Sequence, residues 1–198
     1  MRAILALLLG LSGVNALCAE LPPCAKPVRY AAEWFPAPEI DHTRSSAQVT
    51  SIGASAKGQG KGLQIGHVVV ETKLGVHPQD SCTGVVVRLG FIKPVLRVAS
   101  EIPEGSCAYA RVLNHENTHV RIYRDIAERF RRLEYPWPDR AKPAAILAHA
   151  QQELARLMRA QQEFDSADEY AKNQTVCGGE ILRLVKLPSQ PATGSKRS

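Results

Sequence analysis

The stretch that decides the fold is VLNHENTHVRIYRDIAERF, which runs from Val112 to Phe130. Apolar and histidine side chains recur along it every three or four residues, which is the period of an amphipathic α-helix. The members of this stripe are His115, His119, Ile122, Ile126, Phe130 and Leu133. Because a helix buries its apolar stripe, we expect a helix from about Cys107 to Leu133 with both histidines facing the core.

The two histidines have the H-E-x-x-H spacing of a zinc hydrolase. Residues four apart lie on one helix face, so two imidazoles can reach one metal ion. Glu116 is rotated from His115 by about 100°, which places its carboxylate beside a zinc-activated water rather than on the metal. We therefore predict His115 and His119 as Zn²⁺ ligands. Glu116 would be the general base, and then the general acid, of peptide-bond hydrolysis.

A simpler interpretation treats both histidines as core packing residues, since they continue the apolar stripe of their helix. Their context favours metal binding, because the motif lies in the middle of the helix, on its inward face and after a predicted sheet.

The predicted sheet comes from three β-rich runs before the helix. They are LQIGHVVVETKL, TGVVVRLGFI and KPVLRVASEI, at residues 63–74, 83–92 and 93–102. Turn residues between them indicate an antiparallel arrangement. SIGASAKGQGKG, at 51–62, is typical of a flexible hairpin loop, and residues 20–45 are rich in Pro and Ala. VLRVASEI directly precedes the helix, so we expect it to be an edge strand that binds a peptide by strand addition.

A second long helix follows the first. Pro136-Trp137-Pro138 ends the first helix, and Asp139 can cap the second, which is predicted to run to about Lys172. A short turn makes the two helices antiparallel neighbours. GGEILRLVKLP, at 178–188, suggests a final strand, and the composition of residues 188–198 predicts a disordered tail. The expected fold is α+β, an antiparallel sheet packed against two long antiparallel helices, as in zincins, in one domain over residues 20–187.

A third metal ligand is expected at the end of the second helix, in QQEFDSADEYAKNQ. Asp165 and Glu169 are four residues apart and would share a helix face, and Asp165 extends an apolar stripe through Gln161. One carboxylate would bind zinc and the other would orient a histidine. The alternative is a solvated acidic helix end. Ile122 and Asp125 stand where a metzincin has glycine and histidine, so that arrangement is not expected.

The chain begins like an exported protein. Arg2 and the apolar run AILALLLGLSGVNALCA predict a signal peptide over residues 1–19, and no later stretch could span a bilayer. We expect a periplasmic or secreted protein. Its mature part has an even number of cysteines, which predicts two disulfides with three possible pairings. They are Cys24, Cys82, Cys107 and Cys177.

The formal net charge of +6 raises the question of a nucleic-acid or polymer partner. Basic residues such as Arg129, Arg131 and Arg132 are typical of a solvated helix face, and no aromatic residues are interleaved with them. We therefore expect a peptide or protein substrate and no nucleic acid. The main alternative function is a non-catalytic envelope protein of the same fold.

CAYARVLNHENTHVRIYRDIAERF, followed some residues later by AQQEFD, resembles a family of bacterial exported proteins classed as zinc-dependent proteases without an assigned substrate. The resemblance covers roughly residues 95–175 and is most specific around HENTH. It implies a zinc protease in which His115, Glu116 and His119 form the active-site motif.

The resemblance departs from the family at the third ligand. Family members carry Y-D-x-x-T-x-H-G on the second helix, and their histidine is the implied ligand. Here Asp165 is kept, but Tyr170 stands at the position of that histidine. Either Asp165 or Glu169 takes over as ligand, or Tyr170 coordinates weakly, or the site has lost tight zinc binding.

Overall fold

A computed structural model describes residues 27–34, 37–57, 63–79, 84–137 and 142–185. The predicted signal peptide (1–19), the tail (188–198), Cys24, Cys82 and Asp139 lie outside these residues. The strands are β1 (Val28–Trp34), β2 (Glu39–Asp41), β3 (Gly66–Pro78) and β4 (Val85–Val98). The helices are α1 (Ser46–Lys57), α2 (Cys107–Arg131), α3 (Pro143–Phe164) and α4 (Ala167–Leu184).

The long strand β4 is the centre of the sheet. On one side it pairs in parallel with β1 and β2, and on the other it pairs antiparallel with β3. The expectation of an antiparallel sheet is therefore wrong for β1 and β2. A parallel pair needs a long connection between its strands, and α1 and β3 supply it between β2 and β4.

One continuous strand replaces the two that were expected over residues 83–102. Lys93 takes a positive φ of 49°, and Pro94 follows it. At this point β1 has ended opposite Phe91, β2 begins only opposite Val95, and β3 shifts its register. Proline has no N–H to donate and is tolerated where ladder pairing is interrupted, so Lys93-Pro94 interrupts the regular pairing of β4 without ending the strand.

This geometry also corrects the predicted edge strand. Val95 pairs with Glu39 of β2 on one side and with Val69 of β3 on the other. VLRVASEI is therefore central where it belongs to the sheet, and neither of its edges is open to a peptide. Within the described residues β3 pairs with β4 alone, so its outer edge is unpaired, as are the outer edges of β1 and β2 on the other side of β4.

Two further segments differ from the sequence-based prediction. Residues 51–57 of the expected hairpin loop belong to helix α1, and the expected last strand is helical in the last part of α4, after a kink at Val176–Gly179 where the backbone angles are not helical. The expected second helix is divided in two, since α3 ends at Phe164 and α4 begins at Ala167. Pro143 occupies the first turn of α3, where its missing N–H is not needed.

Helices α2 and α3 cover the sheet and enclose the core. Tyr30 of β1 meets Phe130 of α2 edge-to-face, with ring centroids 5.3 Å apart. Phe130 shares a buried cluster with Ile146 near the start of α3, whereas His119 contacts Gln161 near its end. The two helices are therefore antiparallel, as predicted, and the sheet–helix packing is that of an α+β fold. None of the described helices is long and apolar enough to cross a membrane.

Candidate metal centre

The helix that carries the histidines has a firmly bonded N-terminus. Ser106 is its N-cap, and the Ser106 hydroxyl accepts the Tyr109 N–H at 3.0 Å. Glu180 of α4 accepts the Ala108 N–H at 2.8 Å, so its negative charge lies at the positive end of the helix dipole. The Cys107–Cys177 disulfide joins the same two elements. These contacts hold α4 along the first turns of α2.

The two histidines and Asp165 form a compact donor cluster between α2 and the end of α3. Asp165 Oδ1 lies 2.9 Å from His119 Nε2 and 3.5 Å from His115 Nε2. Donors at 2.0–2.1 Å from a tetrahedral zinc are about 3.3 Å apart, and the two measured distances bracket this value. All three side chains are largely buried, so little solvent competes for their donor atoms.

Hydrogen bonding determines which nitrogen of His119 faces Asp165 as an acceptor. Gln161 Nε2 donates to the His119 carbonyl oxygen at 3.1 Å, which fixes the orientation of the amide. Gln161 Oε1 therefore faces His119 Nδ1, 2.6 Å away, and Nδ1 must carry the proton. A neutral His119 then presents a lone pair on Nε2 to the Asp165 carboxylate, and only a proton or a metal ion between them makes that contact favourable. The residues present fit a divalent metal ion.

The electrostatics of the centre favour a cation. Burial by itself lowers the pKa of His119. The hydrogen bond to Asp165, the charges of Glu116 and Asp165, and the Gln161 contact act in the opposite sense, and the pKa lies above its ordinary value of 6.5. Burial and the Asp165 charge also raise the pKa of Tyr123, one helical turn beyond His119. Without metal, the proton on His119 supplies the cation.

Glu116 lies on the side of α2 that faces the start of β3, and only 5% of its surface is exposed. Its Oε1 atom is packed against Gly66, where a Cβ atom would overlap the carboxylate. Its charge acts on His119, which shows that it belongs to the same electrostatic environment as the donor cluster.

Glu169 occupies a different position from Asp165. Its Oε1 atom lies 3.6 Å from Nδ1 of His115 and 2.5 Å from Nη2 of Arg111, so it lies outside the donor cluster. The His115 Nδ1 atom is buried without a hydrogen-bond partner among the described residues. The two acidic residues of the sequence-based prediction thus approach opposite nitrogens of His115. The side chain of Tyr170 lies outside the described part of the chain.

Three contributors were not assigned a role from the sequence. Phe164 stacks on His115 at 4.7 Å between ring centroids and meets His119 edge-to-face at 5.0 Å. Gln161 contacts His119, and Arg111 pairs with Glu169. The sequence held a signal for two of these residues. Gln161 precedes Asp165 by one turn and Arg111 precedes His115 by one turn, so each shares a helix face with a predicted ligand.

Cys107, Cys177 and Glu180 also lie close together, but the disulfide occupies both sulfur atoms and excludes them as thiolate ligands. No protein-family model, curated protein or solved structure matches this chain. The resemblance of the HENTH segment to exported zinc proteases therefore stays a prediction. The case for function rests on the geometry of His115, His119 and Asp165.

Proposed function

We propose that the protein is an exported zinc-dependent metallopeptidase. The observation that carries this proposal is the meeting of His115, His119 and Asp165 in one cluster, with the buried Glu116 close enough for its charge to act on His119. His115 and His119 would hold the metal through Nε2, and Asp165 would be the third ligand.

The donor set favours a catalytic site over a structural one. Structural zinc sites are closed by four protein ligands, usually including cysteines, whereas catalytic sites have three and leave a position open. Two imidazole nitrogens and one carboxylate oxygen form such a set of three. Bound zinc would polarise a peptide carbonyl and lower the pKa of a water molecule toward neutrality.

Glu116 carries the proton chemistry of the proposal. It lies one residue after a ligand, so it approaches the site from the side without competing for the metal. Its carboxylate would accept a proton from the attacking water and deliver it to the departing amine. Contact with Gly66 and burial limit its movement, which would hold the carboxylate in one position during the reaction.

The substrate of this proposal is an extended peptide or a protein segment. Strand β3 begins at Gly66, in contact with Glu116, and its outer edge is unpaired within the described residues. A peptide added to this edge would pass the donor cluster in extended form. No nucleic acid is proposed as a partner.

Export is part of the proposal. A disulfide such as Cys107–Cys177 is typical of oxidising compartments outside the cytoplasm. The apolar N-terminal run, residues 1–19, would direct the chain to the periplasm or the exterior.

A second candidate is a non-catalytic envelope protein in which the same residues form a closed or packed centre. The position of Phe164 favours this second candidate, because the Phe164 ring packs against both imidazoles of the donor cluster.

Zinc content and peptide cleavage test the proposal together. The chain from residue 20 to 198 is stripped with a chelator, reloaded with zinc and analysed by atomic emission. Variants His119→Ala and Asp165→Ala should lose or weaken zinc binding. Glu116→Gln should keep zinc but lose cleavage of a peptide library at least ~100-fold. The matched control for the carboxylate is Asp168→Ala, because Asp168 is an exposed carboxylate in the first turn of α4; this variant should change neither property.

The outcomes separate the candidates. About one zinc per chain, together with cleavage that needs Glu116, supports the metallopeptidase. Zinc binding without cleavage by the unmodified protein favours the envelope protein. Failure to bind offered zinc means that the HENTH histidines are packing residues.

A further inference from the structure

Gln161 is a buried amide on the otherwise apolar inward face of α3. It is 8% exposed and lies between Leu157 and Asp165, one turn from each. A buried amide costs free energy unless its polar atoms are hydrogen-bonded. Leucine would fill similar space without that cost. A buried glutamine at residue 161 is therefore expected to make specific hydrogen bonds.

Both polar atoms of Gln161 are used by one residue. Gln161 Nε2 donates to the backbone carbonyl of His119 at 3.1 Å, and Gln161 Oε1 accepts from His119 Nδ1 at 2.6 Å. Reversing the amide would place its oxygen against the His119 carbonyl oxygen, and two acceptors cannot bond. The two bonds therefore support each other and fix the ring of His119 about its side-chain torsions.

We infer that Gln161 is a positioning residue of the metal centre, which selects the Nδ1–H tautomer of His119 and aims the Nε2 lone pair at the metal position. The inference rests on the proposed metal site and adds to it the residue that prepares one ligand before metal arrives. The tautomer of a ligating histidine is set by the partner of its other nitrogen. The sequence motif itself fixes only the spacing of the two rings.

The neighbouring ligand lacks an equally close partner. Nδ1 of His115 has Glu169 at 3.6 Å, which is beyond hydrogen-bond distance. Glu169 is also held by Arg111. His119 is thus the histidine whose Nδ1 has a direct hydrogen-bond partner, and we place the preorganisation of the site on the His119–Gln161 pair.

The test compares Gln161→Leu, which removes both bonds, with Gln161→Glu, which keeps an acceptor for Nδ1–H. Gln162→Leu is the matched control, because Gln162 is exposed on the same helix. Long-range ¹H–¹⁵N NMR reports the tautomer directly. It is recorded without metal, above the titration range of His119, on chains that also carry Asp165→Ala, because the Asp165 carboxylate lies 2.9 Å from Nε2 and competes for a proton there. Competition with a chromophoric chelator reports the zinc affinity of the chains that keep Asp165, and circular dichroism verifies folding.

In the Asp165→Ala background, the chain that keeps Gln161 and the Gln161→Glu and Gln162→Leu chains should show the Nδ1–H form of His119. Gln161→Leu should lose the preference for that form and bind zinc about 10- to 100-fold more weakly. An unchanged tautomer and unchanged zinc affinity in Gln161→Leu would overturn the inference. The NMR measurement needs neither metal nor substrate, so a chain that binds no zinc would end the proposed function while the role of Gln161 is still decided.

Discussion

Gly66 and Glu116 are in contact so close that no side chain fits at residue 66. A Cβ atom there would overlap Oε1 of Glu116 and lie 2.7 Å from Cγ1 of Val112. The first residue of β3 thereby forms one wall around the carboxylate. A helix residue with a proposed proton-transfer role is held in place by the backbone of an edge strand.

Gly66→Ala should therefore reduce peptide cleavage more than it reduces zinc binding. The added methyl group must displace either Glu116 or the start of β3, and overpacking of this kind costs about 1–3 kcal/mol. The histidines and Asp165 lie apart from the overlap, so zinc content should be retained. Cleavage rate, zinc content and urea unfolding are measured on the same preparation.

Gly90→Ala is the control for this variant. A Cβ at residue 90 would meet Ile92 and Lys73 at 3.7 and 3.8 Å, which are ordinary contact distances. It should leave cleavage unchanged. Full activity in Gly66→Ala would show that the Glu116 carboxylate does not need its observed position.

The metal-free protein should lose stability as the pH rises above about 6.5. The pKa of His119 in the folded chain lies above its ordinary value of 6.5: burial lowers it, but the Asp165 hydrogen bond and the charges of Glu116 and Asp165 outweigh burial. A raised folded-state pKa contributes stability that is complete below the unfolded pKa and disappears as the pH passes the folded pKa. Urea unfolding in the presence of chelator measures this.

Asp165→Asn should flatten that pH dependence, because it removes the charge that favours protonated His119. Zinc should act in the opposite direction, since protons and metal compete for Nε2, and its affinity should rise with pH. Equal pH profiles for the parent and Asp165→Asn would contradict the assigned His119–Asp165 pair.

The centre was predictable where local spacing determines it. His115, Glu116 and His119 share one uninterrupted helix, and helical periodicity is visible in a single sequence. Asp165 was also identified, from an apolar stripe that leads to it. The relation between Asp165 and Glu169 was less accessible, because the chain breaks between them. Ser166 is the N-cap of a new helix, and its hydroxyl accepts the Glu169 N–H. Serine followed three residues later by glutamate is a sequence signal for the start of a helix.

The sheet was harder to predict because its pairings are non-local. Nothing within VRYAAEW indicates that β1 will pair with Val85–Phe91, more than fifty residues away in the chain, and in parallel. Pro94 resembled a strand boundary, whereas the gap between β1 and β2 accommodates it within β4. The small residues of α1 have no clear apolar stripe and resembled a loop. Strand pairing and packing with distant residues determined the secondary structure of these segments.

Removing the Cys107–Cys177 disulfide should destabilise the protein by about 2–4 kcal/mol. The bridge closes a segment with a sequence separation of 70, which spans α2 and α3 and both sides of the metal centre. The paired Cys107→Ser/Cys177→Ser variant is compared with the parent by urea unfolding. A change near zero would show that Glu180 and the other contacts of α4 hold the start of α2 without it.

Backbone methylation of a cleaved peptide should distinguish strand addition from other modes of binding. If the peptide pairs with the open edge of β3, alternate residues direct their N–H groups toward that edge and the others direct them away. N-methylation at paired positions removes a hydrogen bond worth about 0.5–1.5 kcal/mol and should raise KM a few-fold. Methylation at the intervening positions is the internal control and should have little effect. Measured KM values along the peptide should therefore alternate with a period of two residues. A uniform response, or one confined to the bond that is cut, would mean that the peptide reaches Glu116 without joining β3.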